Sequence, residues 1–234
     1  MQRTDERDTK TRIADAVSQF LTRYWKIILG ILVIVAVALI GVFTYLEIRS
    51  ARENAAARAF EELQDDYESW QEAEEEERES LEDTVYSQIE EITGEYSGMY
   101  AASRARIIGA EIYWEKEEWD EAAAEYETVA DEFSNSHIGP VALFNAAAAE
   151  EAGGQLESAA ELLDTFVERY ADGEPTPELT RALFARGRVY EQLEDFDSAA
   201  DSYERLVDEH SDSSWTNLAR NRIIALKTQG RISE

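Results

Sequence analysis

From Ile27 to Leu46 the chain reads IILGILVIVAVALIGVFTYL, twenty residues without a charge, and no other feature restricts its fold so tightly. At ~1.5 Å per residue such a helix crosses the ~30 Å hydrocarbon core of a bilayer with its backbone groups paired internally. Amphipathic rings favour the headgroup level. Tyr24, Trp25 and Lys26 at the near edge and Tyr45 at the far edge are therefore the expected membrane anchors. The 26-residue leader and the 20-residue run are both too long for a cleaved signal peptide, so the run reads as a transmembrane helix at 27–46.

Cations set the orientation of a span. The leader carries Arg3, Arg7, Lys10, Arg12, Arg23 and Lys26, whereas the twenty residues beyond the span carry Arg49, Arg52 and Arg58. Residues 1–26 are expected as a cytoplasmic tail, and the rest of the chain as an exported domain on a single-pass membrane protein. In the leader, Ile13, Val17, Phe20 and Leu21 fall on one helical stripe suited to the inner membrane surface.

The formal charge of −29 arises beyond the span, where 47 acidic and 16 basic residues leave −31 against a slightly positive leader. Such acidity excludes nucleic acid as a partner, because phosphate binding needs clustered cations. No cysteine is present, which removes disulfides, thiolate catalysis and thiolate metal sites together. His137 and His210 stand apart from each other and read as loop residues, and the run of four glutamates at 74–77 lacks the glycine-kinked loop of a calcium site. No nucleophile elbow, phosphate-binding loop or paired-histidine zinc motif occurs. The expectation is a non-enzymatic chain with no metal or cofactor.

Beyond the span, residues 51–70 keep a helical period with Ala55, Ala59, Leu63 and Tyr67 on one stripe. An acidic run at 72–80 follows, then a second helix presenting Leu81, Val85, Ile89 and Ile92 and closed near Gly94 and Gly98. Residues 47–97 thus read as a long exit helix and an acidic helical hairpin. From residue 98 to 234 the chain repeats itself: WDEAA at 119–123, LESAA at 156–160 and FDSAA at 196–200. The first alanines of these phrases, Ala122, Ala159 and Ala199, are 37 and 40 residues apart. Each is followed four residues on by a large side chain, Tyr126, Leu163 and Tyr203, and preceded twelve residues back by a small one, Ala110, Ala147 and Gly187. Tyr113 and Tyr190 add aromatics in the first and third copies, and Glu150 takes that place in the second. Small residues at these intervals let two helices approach closely.

This layout resembles the tetratricopeptide repeat, a helical hairpin with small and aromatic residues at set positions. The fold class is accordingly all-α, a transmembrane helix followed by an α-solenoid of such hairpins. The final segment, from Trp215 to Leu226, is expected to cap it, with Trp215, Leu218, Ile223 and Leu226 inward and Arg220, Arg222 and Lys227 in water.

Together with the short tail, the single span, the Ala-rich exit helix and YAASRARIIGAEIYWEKEEWDEAAAEYE, the chain is similar to bacterial single-span tetratricopeptide-like proteins that accompany the Sec translocon. That resemblance implies a protein of the inner (cytoplasmic) membrane, a periplasmic interaction scaffold of chaperone-like character whose partners are other proteins, exported polypeptides and the translocon. Homo-oligomerisation stays open, as does the alternative of an envelope structural or regulatory protein acting through its tail.

Overall fold

The sequence offers few helix breakers, with three prolines in 234 residues. Pro140 occupies the first turn of a helix and Pro177 the residue before one, the places where a missing N–H costs least. The computed structural model describes residues 3–172 and 176–233. The side chains of residues 3–17, 21 and 75 lie outside that description, and with them Ile13, Val17 and Leu21 of the expected membrane-surface stripe.

Nine helices occur among the described residues: α1 Arg3–Glu72, α2 Glu75–Glu95, α3 Tyr100–Glu115, α4 Trp119–Glu132, α5 Ile138–Ala152, α6 Leu156–Tyr170, α7 Glu178–Gln192, α8 Phe196–Glu209 and α9 Ser214–Thr228. The chain divides into two units, Met1–Asn54 and Ala55–Glu234. In the first, the helix is long and apolar enough to cross a membrane, with an 18-residue window of mean hydropathy 3.1, none of it buried.

In the second unit, Phe60, Leu63, Tyr67 and Trp70 of α1 share one cluster with Val85 and Ile92 of α2 and Ala105, Ile108 and Ile112 of α3. The buried stripe of α1 is Ala56, Phe60, Leu63, Tyr67 and Trp70, while Ala55 and Ala59 are only half-buried. The stripe is turned from its expected position so that the Phe60 and Trp70 rings also enter the cluster. The acidic run divides at the break after Glu72, and its carboxylates cluster around the start of α2, where the helix dipole favours negative charge. Gly98 (φ 73°) supplies the left-handed turn after α2, and Gly94 lies within the helix.

Three further hairpins follow, α3–α4, α5–α6 and α7–α8, each a first helix A and a second helix B. Their inner turns are the same structure made three times. The residue three beyond each helix A donates its N–H to the carbonyl five back, Glu118 to Tyr113, Gln155 to Glu150 and Asp195 to Tyr190, each at 2.9 Å. The residue between is left-handed: Glu117 (φ 59°), Gly154 (φ 81°) and Glu194 (φ 60°). This is the Schellman closure, which satisfies orphan carbonyls at a helix end and favours glycine. Two of the three copies place glutamate there instead. A continuous core runs from Val129 to Leu226 through the last two hairpins and α9, with Leu163, Phe166, Leu183, Tyr203 and Leu206 almost wholly excluded from solvent.

Candidate protein-binding groove

The helix-A layer of the second unit consists of α1 from Ala55 onward, α3, α5, α7 and α9, and polar side chains bridge α1 to α3, α5 to α7 and α7 to α9. Arg104 of α3 lies 4.1 Å from the Phe60 ring centroid of α1, and Arg181 of α7 stands 4.2 Å from that of Phe144 on α5. Near the opposite helix ends, Tyr67 Oη donates to Glu111 (3.2 Å), Arg188 pairs with Glu151 (2.5 Å), and Arg222 of α9 pairs with Glu191 of α7. A cation over a ring near one end and a carboxylate contact near the other thus recur along the layer. Such contacts order neighbouring helices, with Arg188 and Arg222 still about half in water and the side chains of Glu151 and Glu191 mostly covered.

Between α1 and α3 the layer opens into a cavity of 270 Å³. Phe60, Ile107 and Ile108 give it apolar walls, while Gln64, Gln71 and Glu111 are among its polar lining. That volume is below the ~300–1,000 Å³ of pockets for small molecules and suits one large side chain of a peptide. Burial raises the Glu111 pKa and the nearby Glu115 charge adds to this, with the Tyr67 hydroxyl opposing both. Burial also pushes Tyr67 well above its ordinary value, with Glu111 adding to the effect, so the hydroxyl stays a donor. A larger cleft of 980 Å³ lies among Ser134, His137, Pro140, Arg169, Tyr170 and Pro177. Tyr170 Oη donates to the Ser134 carbonyl there (3.2 Å), and residues 173–175, adjacent in sequence, lie outside the described residues.

The residues singled out from the repeats serve as packing groups. Ala110, Ala122, Ala147, Ala159 and Ala199 are buried, as are Tyr126, Leu163, Gly187 and Tyr203, and Tyr113 and Tyr190 are half-buried. Ala110 and Tyr126 share a cluster with Ala146, and Ala122 packs with Ala149 and Tyr113. Gly187 makes the tightest fit: a Cβ placed there would lie 2.5 Å from the Tyr203 ring. In the first unit Tyr24, Trp25, Lys26 and Tyr45 are all exposed, with Lys26 5.9 Å from the Trp25 ring centroid.

Periodicity misplaced part of α9. Leu218 is 46% exposed, and the inward stripe is instead Thr216, Ala219, Ile223 and Leu226, the helical spacing that puts small residues against α7 and α8. Arg222 does not simply face water, since its guanidinium holds Glu191. The histidines do lie at helix ends, before α5 and after α8. His137 Nε2 is 3.4 Å from Tyr100 Oη, and the His210 carbonyl accepts from Thr216 Oγ1 at 2.5 Å. Among the described residues no group of three His, Cys, Asp or Glu side chains is placed to hold a metal. The bridging residues Arg104, Glu151, Arg181 and Glu191 escaped the sequence reading because charged residues are too abundant here for any one to stand out.

A family model described as a tetratricopeptide repeat-like domain matches residues 18–174, and a tetratricopeptide repeat model matches residues 144–214. A "TPR repeat-containing protein" of Treponema pallidum (strain Nichols) is 30% identical over 131 residues, 56% of this chain and 53% of the relative. The chain therefore spans about half the length of that curated relative.

Proposed function

The chain belongs to the tetratricopeptide repeat-like domain family, and on that premise we propose that it is a membrane-anchored, non-enzymatic scaffold that holds other polypeptides along its helix-A layer. Residues 1–26 form the cytoplasmic tail and 27–46 the span. The domain beyond is exported, and its hairpins contact emerging chains beside a translocation machine in a chaperone-like manner. The observation that carries this reading is the cavity between α1 and α3, with apolar walls for one side chain and Gln64 and Gln71 to meet a peptide backbone. Supporting the membrane half are the uncharged run and the six cations that precede it.

The test is photocrosslinking in cells from Gln64 and Gln71, with Glu161 on the exposed surface of α6 as the control position. Polypeptides captured from the first two positions and not from the third support the groove. If translocon subunits and newly exported chains are among them, the chaperone-like role gains. Equal capture from all three positions would sink the groove assignment.

A further inference from the structure

We propose that the cavity between α1 and α3 receives a basic side chain, lysine or arginine, of the bound polypeptide. The aliphatic stem lies against Phe60, Ile107 and Ile108, and the charge meets Glu111 beside Glu68. The inference rests on the groove reading above and names the chemistry that the groove selects.

α1 and α3 run parallel and in register here. Arg104 stands on the Phe60 ring and Glu111 accepts from Tyr67, each pair 44 residues apart in sequence. The cavity therefore has a cationic end and an anionic end. The cationic end is already occupied: the Arg104 guanidinium covers the Phe60 ring and donates to Gln64 Oε1 at 3.4 Å. At the other end Glu68 accepts from the Gln64 amide and Glu111 from Tyr67 Oη, both at 3.2 Å. Among the described residues neither carboxylate is paired with a cation. Both side chains are exposed and so within reach of an incoming group.

Two later joints of the layer carry their own counter-charge. One position beyond the small residue of each helix A the chain has Glu111, Ala148 and Arg188. Arg188 reaches back from α7 to Glu151 of α5, and Arg222 of α9 holds Glu191 of α7 in the same sense. Each of these joints neutralises its carboxylate internally. In the α1–α3 joint the place of Arg188 is taken by a glutamate, and α1 faces it with Gln64, Tyr67, Glu68 and Gln71. This joint is short of a cation at the place where it also opens into a cavity of 270 Å³.

The lining discriminates among occupants. An acidic side chain meets two like charges. An aliphatic or aromatic one covers the walls but adds to the burial of Glu111, whose charge burial already penalises. A lysine or arginine suits both surfaces, because its stem packs on apolar groups while its head stays at a polar rim. Arg104 opposes it little: seven residues along α3 separate that position from Glu111 by roughly 10 Å, beyond the ~8 Å Debye length at physiological salt. The 47 acidic and 16 basic residues beyond the span also draw basic segments toward the array.

The test uses three fluorescent nonapeptides, alike but for a central lysine, norleucine or glutamate, titrated against the full-length protein in nanodiscs and read by anisotropy. The lysine peptide is expected to bind at least tenfold tighter than the norleucine peptide, which keeps the stem without the charge, and the glutamate peptide should bind weakest. Glu111→Gln should weaken the lysine peptide at least fivefold and leave the norleucine peptide unchanged. Glu161→Gln, which removes the same charge from the exposed surface of α6, should change neither. A melting temperature no lower than that of wild type verifies the fold of Glu111→Gln. Equal binding of the lysine and norleucine peptides, or no binding of any of the three, would overturn the proposal. So would a lysine preference that survives Glu111→Gln, because it would belong to the diffuse acidity of the array. Capture from Gln64 and Gln71 reports on the groove itself and persists if only the choice of side chain is mistaken, so the two failures are distinguishable.

Discussion

Residues 27–46 and the hairpins beyond Ala55 use apolar side chains in opposite ways. In the first, Ile34 and Phe43 are 69% and 68% exposed and no side chain needs to fit another. In the second, Leu206 and Phe166 are fully enclosed and the helices meet over alanines and glycines. The first region depends on what its surface meets, the second on the match of small and large residues. Charge should therefore damage the span, and volume should damage the array.

The largest effect expected from that contrast is Val37→Lys. A lysine at the centre of a span costs roughly 2.5–3.5 kcal/mol of insertion free energy. Much of the variant should leave the membrane fraction on alkaline washing, while its array, taken up in detergent, melts as wild type does. Full retention in the membrane would break the contrast at its first half.

Volume is tested next, at Gly187. Its replacement by alanine gains helix propensity of up to about 1 kcal/mol but drives a methyl into the enclosed Tyr203 ring. A net loss of about 1–2 kcal/mol is expected, read as a lower melting temperature, and Ala199→Leu should cost about 1–3 kcal/mol by the same overpacking. The second hairpin already contains the remedy, since Ala147 and Leu163 stand where the third has Gly187 and Tyr203. Adding Tyr203→Leu to Gly187→Ala should recover much of the loss. An unchanged melting curve for Gly187→Ala would separate the repeat pattern from the packing.

The two regions also differed in how plainly the sequence announced them. Twenty uncharged residues make a helix long and apolar enough to cross a membrane, and the family match bears out the hairpins that the spaced alanines indicated. Small residues are legible because helix approach forbids anything larger at Ala110, Ala147 and Gly187. The rotation of α9 was not legible, since Leu218 and Ala219 are adjacent and only the neighbouring helices decide which turns inward. The groove was hidden for another reason. Its walls come from α1 and α3, about forty residues apart in sequence, and Arg104, Tyr67 and Glu111 become a set only when those helices lie side by side.

Within the array, two carboxylates of the helix-A layer sharpen the comparison further, because they face opposite electrostatics. Burial works to raise the pKa of Glu191, but donation from Arg222 and from Tyr203 outweighs it and the value is lowered. A lowered carboxylate adds stability above its unfolded pKa, near 4.3, and loses it as pH falls through the folded value. Glu191→Gln should therefore cost about 1 kcal/mol at pH 7, after allowance for exposure, and less with each step into acid. A loss that is independent of pH would assign Glu191 a packing role alone.

Glu111 reverses the sign. Its pKa is raised, chiefly by burial, so its contribution is complete below the unfolded value near 4.3 and is lost as pH rises through the folded one. At neutral pH the ionised carboxylate is held at a cost, and what offsets that cost is the Tyr67 hydroxyl at 3.2 Å. A glutamine keeps the acceptor and discards the charge. Glu111→Gln should thus raise the melting temperature slightly at pH 7 and match wild type below about pH 4. If the proposed groove uses Glu111 to meet a cationic partner, the same substitution should weaken capture from Gln64 while the fold gains stability. Stability and capture that fall together would instead make Glu111 a structural strut, and the α1–α3 opening a packing fault between two hairpins.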